Sequence, residues 1–79
     1  MPLYYFDVIA DGRRSEAFEG LEAADQAAVE RMAIDGAREL MSEAIRRGED
    51  ISQHAFEVRD EDDRIVLRFQ FGDALTGNR

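Results

Sequence analysis

Seventy-nine residues make one domain, and at that size folding buries only about 60–65% of the unfolded chain's surface. The absence of cysteine excludes disulfides and thiolate metal sites, and a formal charge of −8 argues against broad binding to nucleic acid or anionic membranes. No apolar run approaches the ~20 residues that span a bilayer, and the N-terminus lacks a basic segment followed by an apolar one. A soluble cytoplasmic protein is expected.

The charge is uneven: −2 over residues 1–20, −2 over 21–48, −6 over 49–63 and +2 over 64–79. All ten basic residues are arginine, which coding bias explains more simply than selection for carboxylate recognition.

The first predicted strand, Tyr4-Tyr5-Phe6-Asp7-Val8-Ile9, has almost no polar face. Side chains alternate across a strand, so Tyr4, Phe6 and Val8 share one side, and Tyr5 and Ile9 share the other with Asp7. A helix can cover one side; the other needs a second cover. Asp11-Gly12 is a two-residue hairpin signal, because a type I′ turn needs positive φ at both positions. That turn pairs Ala10 with Arg13 and predicts Tyr5 opposite Phe18 and Phe6 opposite Ala17. The returning strand, Arg13–Phe18, is polar and reads as an edge, ended by Glu19-Gly20.

Asp25 is a good N-cap, and from Gln26 to Arg47 the pattern is helical. Val29, Ala33, Ala37, Leu40, Met41 and Ala44 form one stripe, bordered by Ile34 and Ile45. Its alanines let the helix axis lie close to a sheet. Gly36 reads as a mild weakness, about 1 kcal/mol relative to alanine, and Arg46-Arg47-Gly48 as the stop.

A second hairpin is predicted over Ser52–Phe71, with His54, Phe56 and Val58 on one face. A four-residue loop, Asp60–Asp63, pairs Val58 with Ile65 and Phe56 with Leu67, keeping the apolar sets together. Gly72 onward reads as a turn, and residues 76–79 as a flexible tail. The expected fold is α+β: a β-hairpin, one long α-helix and a second β-hairpin (ββαββ), with the helix packed on one face of an antiparallel sheet. Residues 1–75 form this single domain.

Chemistry is sparse. His54 lacks a partner that would orient it as a base, so packing explains it. Asp60-Glu61-Asp62-Asp63 departs from a calcium loop, lacking glycine at the sixth position and glutamate at the twelfth. There is no nucleophile elbow, phosphate-binding glycine loop or zinc-ligand spacing. No catalytic residue, cofactor or metal is assigned, and the expectation is a protein that is not an enzyme.

Met1-Pro2-x-Tyr4-Tyr5-Phe6-Asp7-Val8, Asp11-Gly12, Glu19-Gly20, Ala37-Arg38-Glu39-Leu40-Met41, Arg46-Arg47-Gly48-Glu49-Asp50 and Phe56-Glu57-Val58-Arg59-Asp60-Glu61-Asp62 together resemble a family of small uncharacterised bacterial proteins classed as a domain of unknown function. The resemblance implies no activity, cofactor or site residues. The chain departs from the family pattern in having Asp63 in place of glycine and Ala23-Ala24 in place of Leu-Pro. The first departure bears on a left-handed turn conformation, which aspartate tolerates better than most residues.

Two functions follow. One is a small interaction module, a homodimer or a binder of another protein, that uses a sheet face or edge. Its candidate interface is Tyr5, Ile9, Phe18 and Val66, since contiguous apolar patches mark interfaces. The other is an acidic, antitoxin-like regulatory partner of a basic protein, with residues 49–63 supplying the charge. No nucleic-acid or membrane partner is expected.

Overall fold

A computed structural model describes residues 1–75; the predicted tail at 76–79 lies outside the described residues. The chain runs β1 (Leu3–Ala10), β2 (Arg13–Glu22), α1 (Gln26–Arg46), β3 (Ala55–Arg59) and β4 (Ile65–Gln70), then a short 3-10 helix over Phe71–Leu75. The four strands form one antiparallel sheet in the order β2-β1-β3-β4. This is the expected α+β ββαββ architecture, with the two hairpins joined along β1 and β3.

The first turn forms as predicted. Asp11 and Gly12 adopt φ of 54° and 77°, and Ala10 pairs with Arg13. The register beyond it differs from expectation. β2 continues to Glu22 and carries two bulges, so Phe6 faces Phe18 rather than Ala17, and Tyr4 faces Leu21. The physical reason is burial. A regular ladder would turn Ala17 and Glu19 toward the helix, whereas the bulges deliver Phe18 and Leu21 to the core. Gly20, at φ 67°, lies within the second bulge and does not end the strand.

Asp25 caps α1, its Oδ1 accepting from Ala28 N at 2.9 Å. The helix ends where predicted, to within one residue. Glu49 N donates to Ala44 O at 2.8 Å and Gly48 N to Ile45 O at 2.9 Å, with Gly48 at φ 78°. These two bonds make a Schellman motif. Val29, Ala33, Ala37, Met41 and Ala44 are buried, while Ile45 is 69% exposed.

The core lies between α1 and one sheet face. Phe6 meets Phe18 and Phe56 at ring-centroid distances of 5.8 and 5.4 Å, and Phe56 meets Phe71 at 4.7 Å. Gly36 is the notch for this cluster: a Cβ there would lie 3.4 Å from both Phe18 and Phe56. The residue that propensity marks as weak is therefore where two aromatic rings reach the helix backbone.

The second hairpin is displaced by two residues from expectation. Val58 pairs with Leu67 and Phe56 with Phe69. Asp60 builds a longer turn, its Oδ1 accepting from Asp62 N and Arg64 N and its own N–H donating to Arg64 O at 2.9 Å. Asp63 takes the left-handed conformation at φ 66°. A bulge at Val66 then keeps Leu67 and Phe69 against the core and turns Ile65 outward.

His54 precedes β3 rather than lying in it. Its ring is 6.0 Å from that of Phe71, and its carbonyl accepts from Phe71 N. The segment after β4 is ordered by such contacts: Gly72 N donates to Ser52 O, and Arg38 Nε to Ala74 O at 3.1 Å. No helix of the described residues is long and apolar enough to cross a membrane.

Candidate functional site

The sheet face opposite α1 carries the concentrated chemistry. Alternation turns Tyr5, Asp7 and Ile9 of β1 to this side, with Ala55, Glu57 and Arg59 of β3 beside them. Asp7 and Glu57 stand directly opposite each other across the β1–β3 seam. They are 3% and 4% exposed, although no helix covers them. Like charges opposite each other in a sheet repel, and buried carboxylates are costly without partners. Three arginines supply those partners and the cover.

Arg14, opposite Ile9 on β2, reaches over β1 to hydrogen-bond Glu57 Oε1 through its Nη2. Its Nε lies 3.8 Å from Asp7 Oδ2. Arg68, opposite Glu57 on β4, donates from Nε to Glu57 Oε2 at 3.1 Å. Arg59 places Nη2 3.2 Å from Asp7 Oδ2 and hydrogen-bonds Asp63 across the turn. That bond to Asp63 holds the Arg59 guanidinium above its ordinary value, against the opposing effect of desolvation.

Glu57 thus has a guanidinium on each oxygen. Asp7 Oδ2 has charge nearby but no aligned hydrogen bond, and Arg59 Nε is likewise unbonded. With Asp63, the cluster joins three guanidiniums to three carboxylates and is balanced within a chain of −8. At its rim, Glu16 is held above the usual glutamate value by Glu19, which is both a like charge and a hydrogen-bond partner.

A shallow cleft of about 380 Å³ opens beside the cluster, with Ile9, Gly12 and Ala55 next to Arg14, Glu57 and Arg68. Guanidiniums remain charged at any ordinary pH and donate hydrogen bonds in a fixed fork. The arrangement is chemically suited to hold an acceptor. Among the described residues, no group of three or more His, Cys, Asp or Glu side chains is placed to hold a metal ion.

Of the four predicted interface residues, the structure brings two together. Tyr5 and Ile9 are half-buried on this open face, on either side of Asp7. Phe18 is on the helix side against Phe6 and Phe56, displaced there by the β2 bulge. Val66 sits in the β4 bulge and packs against the core, its carbonyl accepting from Gln26 Nε2 at 2.7 Å. A continuous apolar patch of these four therefore does not form. Sequence reasoning missed the ion cluster, although it left a trace: Asp7, Glu57 and Arg68 each interrupt an apolar strand.

Residues 3–72 match the family described as Domain of unknown function (DUF6894). No curated protein and no solved structure matches the chain.

Proposed function

The chain belongs to the DUF6894 family, a membership that assigns no activity, and we propose from its geometry that it is a non-enzymatic interaction module that forms a homodimer by joining β4 to β4 of a second copy. The difference between the sheet's two edges carries this reading. β2 is exposed along its first half, rich in charge and twice bulged, the features by which edge strands avoid pairing. β4 has the sequence Ile65-Val66-Leu67-Arg68-Phe69-Gln70 with no acidic residue. Among the described residues, its bulged end is engaged from outside, where Gln26 donates to the Val66 carbonyl.

A second copy suits this edge on grounds of charge. In an antiparallel pair, the two Asp60–Asp63 turns lie at opposite ends, about 20 Å apart for a strand of this length. That separation exceeds the ~8 Å screening length at physiological salt, so the most acidic segments avoid each other. Such a dimer would make one continuous eight-stranded sheet and leave the ion cluster accessible on its open face.

The test is light scattering with Ile65→Lys. Ile65 is 48% exposed, so the fold should tolerate the change, while the lysine adds a cation to an edge already carrying Arg68. Wild type should be a dimer at tens of micromolar and the variant a monomer. A monomeric wild type at high concentration would overturn the reading.

The exposed turn favours a second reading, as an acidic partner of a basic protein. Glu61 and Asp62 project into solvent, whereas Asp60 is engaged by its own turn and Asp63 by Arg59. Salt-sensitive binding to one basic protein, lost on neutralising Glu61 and Asp62, would support it.

A further inference from the structure

We propose that the cleft between Arg14 and Arg68 binds a singly charged carboxylate attached to an apolar group. This goes beyond the edge pairing and is independent of it. Four observations converge. The cleft's own lining has two guanidiniums, Arg14 and Arg68, and one carboxylate, Glu57, so one added negative charge would balance it. Arg68 commits its Nε to Glu57 and is 71% exposed, leaving its terminal amino groups for a ligand. Arg14, 52% exposed, borders the same cleft. Glu57, held between them and almost fully buried, fixes where both guanidinium planes lie.

The walls decide the rest of the ligand. Ile9 and Ala55 present apolar surface, and Gly12 leaves the turn end open. About 380 Å³ is at the small end of ligand clefts, which suits a short-chain or aromatic acid. A planar carboxylate matches the guanidinium fork bidentately. A phosphate dianion matches less well: it would overfill the single surplus charge and meet the repulsion of a chain at −8.

Two-dimensional NMR of the full chain, titrated with sodium benzoate or sodium phosphate at constant ionic strength, tests this. Benzoate should give saturable shifts confined to the Ile9, Gly12 and Ala55 amides and the Arg68 Nε–H, with phosphate clearly weaker. Arg68→Gln should weaken benzoate binding about tenfold, the scale of one charged hydrogen bond, and Arg68→Lys, keeping charge without the fork, should fall between. Arg46→Gln, on the distant helix end, should leave it unchanged. Absence of saturation in the wild type would overturn the proposal. So would phosphate binding as tightly as benzoate, shifts spread over all arginines, or an Arg68→Lys affinity equal to wild type, since each indicates charge attraction without a shaped site.

Discussion

The two faces of the sheet are built by the same strands and hold together by opposite means. On the helix side, Phe6 and Phe56 project from β1 and β3 into a dry aromatic cluster. One residue along each strand, Asp7 and Glu57 project the other way and are just as well hidden. Their cover is the length of arginine side chains rather than a second layer of backbone. Alternation thus places an oil-like contact and an ionic one back to back across a single sheet. The helix face depends on shape, with Gly36 as its notch. The open face depends on charge balance, and its partners remain half in water.

That contrast can be broken from either side. Phe56→Ala should have the largest effect, about 3–5 kcal/mol for a fully buried aromatic, read from the urea midpoint and unchanged by salt. Glu57→Gln should cost less, about 1–3 kcal/mol, because Arg14 and Arg68 are solvated enough to weaken each pair. Its cost should shrink at ~1 M salt, where screening shortens to about 3 Å. Equal salt responses in the two variants would erase the distinction between the faces.

The rim of the open face sharpens the comparison through pH. Glu16 binds its proton more tightly in the folded chain than in the unfolded one. The resulting stability is present below the unfolded value and lost as pH rises through the folded one. Glu19→Gln removes the principal cause, so NMR titration should show Glu16 ionising at lower pH and an acid-range stability profile that is flatter. The smallest effect belongs to Asp63→Gly. It relieves the left-handed conformation but removes the exposed pair with Arg59. A net change within about 0.5 kcal/mol follows, since gains of this kind and surface ion pairs are each of that order.

What could be read from residues alone was what depends on near neighbours. Asp11-Gly12, the Asp25 cap, the alanine stripe and the Gly48 stop each act within a few positions, and each stands where expected. The β2 register could not be read in that way. Its bulges exist because Phe18 and Leu21 reach a core whose other walls are β3 and α1. The contact at Gly36 was hidden for the same reason: helix propensity contains no information about Phe18 and Phe56 arriving from two different strands. The ion cluster draws on all four strands. Until β1 is known to lie beside β3, nothing connects Glu57 with Asp7 or with Arg14.

The β1–β3 seam also bears on how the chain reaches its native state. Each hairpin closes over a short loop and can form early and alone. The seam joins Tyr5 to Arg59 and must gather the whole helix between them. Closing it carries the main loop entropy of the fold, and only then do Phe6 and Phe56, or Asp7 and Glu57, meet. Both faces are therefore completed in one late step, so substitutions in the hairpin turns, which form before it, should slow folding, while those at Phe6, Phe56, Asp7 and Glu57, whose contacts form last, should chiefly hasten unfolding.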